Sequence, residues 1–121
     1  MSINSVNFSI APISSAGIML SYKCNSECQH CLYNCSPKWS DWITEEKLHS
    51  IYYGTVKSVK NPQGFHIAGG EPFINFPLLL KAVKLAREYG IPLDYVETNA
   101  GWYTDEKSAI EKLKQLKDAG L

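Results

Sequence analysis

Apolar and polar residues change rhythm several times along this chain. Near the start, Val6, Phe8 and Ile10 alternate with Asn7 and Ser9 until Pro12 breaks the pattern. That alternation predicts an N-terminal arm, residues 1–14, carrying a short edge strand. Ala16 to Tyr22 is a compact apolar run and reads as a buried strand. Irregular sequence follows, through Pro37, Trp39 and Trp42. A helix is then expected with Thr44 as N-cap, Glu45 and Glu46 favouring the dipole in its first turn, and Ile43 and Leu48 as a hydrophobic staple. Its inward stripe is Leu48, Ile51, Tyr52, Thr55 and Val59.

Asn61-Pro62-Gln63-Gly64 is a turn, and Phe65 to Ala68 is a second short strand. A second helix takes Asn75 as N-cap, Pro77 in its first turn and Ile74 with Leu79 as staple. It buries Leu79, Ala82, Val83 and Ala86, and ends at Gly90. Leu93 to Thr98 reads as a third strand. Thr104 is expected to cap a third helix, which buries Ala109, Ile110, Leu113 and Leu116 and stops at Gly120. Strands alternating with helices in this way predict an α/β fold with a parallel sheet and right-handed crossovers.

Composition narrows the function classes. The 121 residues suffice for one core, and 45% hydrophobic with 20% charged residues is ordinary globular usage. Twelve basic residues balance twelve acidic ones, so no net field points to nucleic acid or an anionic membrane. There is no basic n-region before an apolar stretch, and no apolar run approaches about 18 residues. The expected location is therefore the cytoplasm, where thiols stay reduced.

All four cysteines, Cys24, Cys28, Cys31 and Cys35, fall in one short stretch. So clustered, they cannot staple a domain and read as a metal site. Cys24-Asn25-Ser26-Glu27-Cys28-Gln29-His30-Cys31 spaces three thiols as C-x3-C-x2-C. Thiolates suit iron–sulfur clusters and zinc. A closed cubane site takes four cysteines, so three leave one iron open to a non-protein ligand, and open positions mark reactive metal sites. The cysteines alone leave another reading open: a closed zinc or iron–sulfur site with Cys35 as fourth ligand.

The second motif is Gly69-Gly70-Glu71-Pro72, at the C-terminal end of the second strand, where ligands bind in βα folds. Paired glycines let backbone approach a ligand closely, and Pro72 biases Glu71 towards extended backbone. C-x3-C-x2-C followed by Gly-Gly-Glu-Pro resembles the radical S-adenosylmethionine (radical SAM) superfamily, over roughly residues 15 to 121.

That resemblance implies a partial parallel (β/α) barrel, of which this chain carries about three βα units out of a six-unit core. Residues 15–121 are then expected to be the N-terminal portion of a longer core domain. It implies that Cys24, Cys28 and Cys31 hold a [4Fe–4S] cluster whose open iron is chelated by S-adenosylmethionine. Reductive cleavage of that cofactor gives a 5′-deoxyadenosyl radical, which takes hydrogen from a substrate the sequence does not identify. The expected partner is a low-potential electron donor of ferredoxin or flavodoxin type. Gly69, Gly70, Glu71 and Pro72 are expected to receive the methionyl ammonium. Relatives often carry Thr-Asn-Gly at the third strand end, so Thr98 and Asn99 are further cofactor candidates, although Ala100 interrupts the match and a solvated strand end fits equally. His30 and Tyr33 are expected to shield the cluster. His66 reads as a satisfied core histidine, and Trp39 and Trp42 as a lid or as loop packing.

Overall fold

The computed structural model describes residues 9–121. Three short strands, β1 (Gly17–Met19), β2 (Phe65–Ala68) and β3 (Leu93–Val96), form one parallel sheet in the order β1–β2–β3. Helices α1 (Glu45–Ser58), α2 (Phe76–Glu88) and α3 (Glu106–Ala119) each follow one strand. The architecture is thus α/β with three consecutive βα units. Among the described residues no helix is long and apolar enough to cross a membrane. Val6 and Phe8 of the expected edge strand lie outside the described residues, and Ile10 is exposed in irregular backbone.

Ile18, Phe65, Ile67 and Leu93 point from the strands into one core with Leu48 and Tyr52 of α1, Leu79, Ala82, Val83, Leu85 and Ala86 of α2, and Leu116 and Ala119 of α3. Buried Tyr52 keeps its hydroxyl satisfied by donating to the Ala82 carbonyl (3.0 Å), and burial pushes its phenol well above the usual tyrosine range. The opposite sheet face carries Gly17, His66 and Tyr95, which are neighbours in register. His66 is therefore not a core histidine. Its ring stacks flat on Tyr95 at 4.5 Å, Nδ1 lies 3.3 Å from the Gly64 carbonyl, and Nε2 lies 3.8 Å from Glu97 Oε1.

β2 and β3 pair with one irregularity. Phe65 faces Leu93, but His66 faces Tyr95 and Ile67 faces Val96, so Asp94 is bulged out of the ladder. The extra residue brings Leu93 and Val96 both towards the helices.

Helix ends follow capping chemistry, with two departures from expectation. Thr44 and Asn75 accept from the Lys47 and Leu78 amides, as their sequence positions suggest. After α2, Gly90 sits at φ +72° and its amide bonds to the Arg87 carbonyl, while the Ile91 amide bonds to that of Ala86. These paired bonds are a Schellman stop. For α3 the cap is Asp105, which accepts from the Ser108 amide at 2.9 Å, and the expected Thr104 instead donates its hydroxyl to Asp105. Ile74 is exposed and forms no staple, because a 3₁₀ turn over Pro72–Asn75 turns Phe73 inward in its place. Ile110 and Leu113 of α3 are also exposed; α3 meets the core through Ala109, Leu116 and Ala119.

Asp105→Ala should lower the urea midpoint of unfolding through loss of the N-cap, and Thr104→Ala should lower it by clearly less. The Ser108 amide holds the Asp105 carboxyl below its ordinary range. The cap's contribution is accordingly full above the unfolded carboxyl pKa, about 3.9, and is lost as pH falls through the lower folded value.

Candidate metal centre

The cysteine loop springs from the C-terminal end of β1. The strand expected to reach Tyr22 stops at Met19 because its continuation is taken by other partners: Ser21 bridges Trp42 and Lys23 bridges Ser36. The Cys24 amide donates to the Ser36 carbonyl and the Ser36 amide to that of Tyr22, closing the loop at its base. Tight turns follow, Cys31 amide to Cys28 carbonyl and Asn34 amide to Cys31 carbonyl. Trp42 packs against the core, whereas Trp39 stays partly exposed against Tyr22 and donates its indole N–H to the Asn34 carbonyl.

A cavity of about 230 Å³ opens at this rim, lined by Cys24, Cys28, Cys31 and Cys35 together with Gly69, Gly70 and Asn99. His30 and Tyr33 border it too, as do Ser26 and Glu97. Amides are aimed at the sulfurs: Ser26 at Cys24 (3.4 Å), Cys35 at Cys31 (3.4 Å) and Gly70 at Cys35 (3.2 Å). Such donors favour the thiolate form that metals require. The Cys35 amide, followed by that of Tyr33, holds the Cys31 thiol below its ordinary range, whereas burial pushes the Cys35 thiol up.

Among the described residues no three Cys, His, Asp or Glu side chains are grouped tightly enough to share one ion. A cubane does not ask for that, since its irons take one thiolate each. Four thiols lining one cavity, with amides directed at the sulfurs of three of them, fit a cluster of this kind.

The glycine turn packs directly beneath the cysteine loop. Gly70 has φ +55°, and a Cβ there would fall on the Lys23 carbonyl oxygen. That oxygen also accepts from the Glu71 amide at 2.9 Å. Any side chain at position 70 would therefore displace the loop carrying Cys24 as well as intrude on the cavity. Gly69 lies against the Met19 side chain, at φ +83°.

Of the six residues expected at the cofactor, Gly69, Gly70 and Asn99 line the cavity and Glu71, Pro72 and Thr98 stand behind it. Pro72 is buried. Glu71 is only 1% exposed, and its carboxylate accepts from the Phe73 amide (3.0 Å), the Thr98 hydroxyl (2.9 Å to each oxygen) and the Asn99 amide (2.7 Å). Thr98 Oγ1 also accepts from the Trp102 indole, and Trp102 stacks on Phe73 at 4.2 Å. Glu71 thus fastens the glycine turn to the end of β3, which is why the regular strand ends at Val96 rather than Thr98. Asn99 reaches onward to the cysteine loop, donating to Asn25 Oδ1 (2.8 Å), Ser26 Oγ (3.3 Å) and Cys24 Sγ (3.7 Å). Sequence reasoning does not single out Asn25, Ser26 or the Lys23 carbonyl, since nothing local marks a backbone oxygen or a loop amide as a contact.

A sequence model described as a 4Fe-4S single cluster domain matches residues 17–119. No curated protein matches the chain.

Glu71→Gln puts an NH₂ where the carboxylate oxygens meet only donors. It should destabilise the protein by about 1–3 kcal/mol, the usual penalty for an unsatisfied buried polar group, as measured by chemical denaturation.

Proposed function

Because the chain belongs to the 4Fe-4S single cluster domain family, we propose that its cluster serves radical SAM chemistry, with Cys24, Cys28 and Cys31 as ligands and S-adenosylmethionine on the fourth iron. Held by Cys24, Cys28 and Cys31, such a cluster would supply the single electron for reductive cleavage of a C–S bond of the cofactor, the chemistry by which hydrogen would be taken from a substrate. The observation that carries the reading is the shared cavity: the three thiols of the motif and the bare backbone of Gly69 and Gly70 line the same space.

The chain's own residues have separable tasks in this proposal. Cys24, Cys28 and Cys31 bind iron. Gly69 and Gly70 leave their part of the cavity lining free of side chains, so that an amino-acid moiety could lie against backbone. Glu71 and Thr98 touch nothing in the cavity; they hold the turn in place from behind. Tyr33 and His30 border the rim, where they would shield the cluster. Electrons would come from a low-potential donor of ferredoxin or flavodoxin type, and the substrate class is left open.

A second reading has one observation in its favour. Cys35 borders the same cavity as the other three thiols, so a closed, non-catalytic four-cysteine site is the alternative.

Alanine variants separate the two. Cys24→Ala, Cys28→Ala and Cys31→Ala should each abolish cluster assembly, while Cys35→Ala should retain about four irons with sulfide, the cubane count. Loss of iron from the Cys35 variant as well would mean a closed site. Adding S-adenosylmethionine to the reduced protein should also change its electron paramagnetic resonance spectrum, as an amine and a carboxylate join the open iron. A spectrum indifferent to the cofactor would sink the radical SAM reading.

A further inference from the structure

Asn99 enters the resemblance as a cofactor residue, but its polar atoms are already committed. Its backbone amide donates to Glu71 Oε2 and its Oδ1 accepts from the Gly101 amide at 2.8 Å. Its Nδ2, with two protons to give, faces Asn25 Oδ1, Ser26 Oγ and Cys24 Sγ. Three consecutive residues of the cysteine loop are thus held by one amide group from the end of β3. Asn99 is anchored through its backbone amide to the buried Glu71 carboxylate, and the Gly101 amide on Oδ1 holds the side chain in this orientation.

From this geometry we infer that Asn99 is a positioning residue for the cluster rather than a ligand-binding residue for the cofactor, acting by donating Nδ2–H to the Cys24 sulfur. The inference rests on Cys24 being a cluster ligand, as proposed above. An N–H directed at a ligand sulfur stabilises the extra negative charge of the reduced state, and hydrogen bonds to the sulfurs are among the determinants of cluster potential. Asn99 therefore raises the potential and seats Cys24 at once.

Three variants divide these effects. Asn99→Asp keeps the shape, the backbone amide and the acceptor for Gly101, but exchanges the NH₂ for a charged oxygen that itself lowers the potential. Asn99→Leu, which removes the donor without adding charge, must therefore shift the midpoint in the same direction. Asn25→Ala removes the shortest partner of Nδ2 but leaves the donor beside Cys24. Redox titration without S-adenosylmethionine should show a more negative midpoint for Asn99→Asp and Asn99→Leu than for the parent, and an unchanged one for Asn25→Ala. Pulsed electron paramagnetic resonance of the reduced parent, grown with asparagine labelled with ¹⁵N at the side-chain amide, should show a weak nitrogen coupling that persists in Asn25→Ala. An unshifted potential in an iron-loaded Asn99→Asp or Asn99→Leu protein would overturn the inference. So would the absence of that coupling in the parent, a measurement that holds even if neither Asn99 variant loads iron. Neither readout involves the cofactor, so failure here is distinct from failure of the radical SAM reading, and iron retention in Cys24→Ala would expose a wrong ligand assignment separately.

Discussion

Where the Lys23 carbonyl meets Gly70, two backbones touch with no room for a side chain between them. The rest of the site depends on that contact. It brings the loop leaving β1 down onto the turn leaving β2, so that four thiols and a bare glycine wall enclose one cavity. Hydrogen bonds run along the seam from both sides, Glu71 amide to Lys23 carbonyl and Gly70 amide to Cys35 sulfur. Glycine is required here by packing inside the protein, before any ligand is considered.

Polar satisfaction extends the seam to the third strand. A carboxylate as buried as that of Glu71 is tolerated because every contact it makes is with a donor, from Phe73, Thr98 and Asn99. Those donors come from the turn itself and from the end of β3, so one side chain joins two consecutive βα units. Among the described residues no buried side-chain nitrogen or oxygen lacks a partner. The rim of the sheet is consequently one hydrogen-bonded body running from Glu71 through Asn99 to Cys24, assembled from residues far apart in the chain.

Much of the fold is legible in the sequence. β2 ends where Gly69 begins, α1 starts after Thr44 and α2 after Asn75, because caps and breakers act locally and leave local signatures. Ile74, Ile110 and Leu113 are misleading for the same reason in reverse: apolar periodicity says which residues share a helix face, not which part of that face meets a neighbour. The cysteine spacing and the paired glycines announce the site. The tasks of Glu71 and Asn99 are not visible there, since their partners lie dozens of positions away and only the register of the sheet brings them together. His66 illustrates a further limit, for an alternating pattern gives the two faces of a strand but not which one the helices cover.

The bulge at Asp94 acquires its meaning at the other end of β3. Side chains alternate along a strand, so one additional residue inverts the orientation of everything after it. With Asp94 outside the ladder, Glu97 joins the cavity-facing set, Thr98 turns inward to Glu71, and Asn99 emerges beside Cys24. Draw Asp94 into the ladder against His66 and every later side chain would change face, a carboxylate directed at the buried carboxylate and a hydroxyl towards the thiols. A phase set by one unpaired residue before the middle of the strand thus decides which polar groups face the cysteine-lined cavity at its tip.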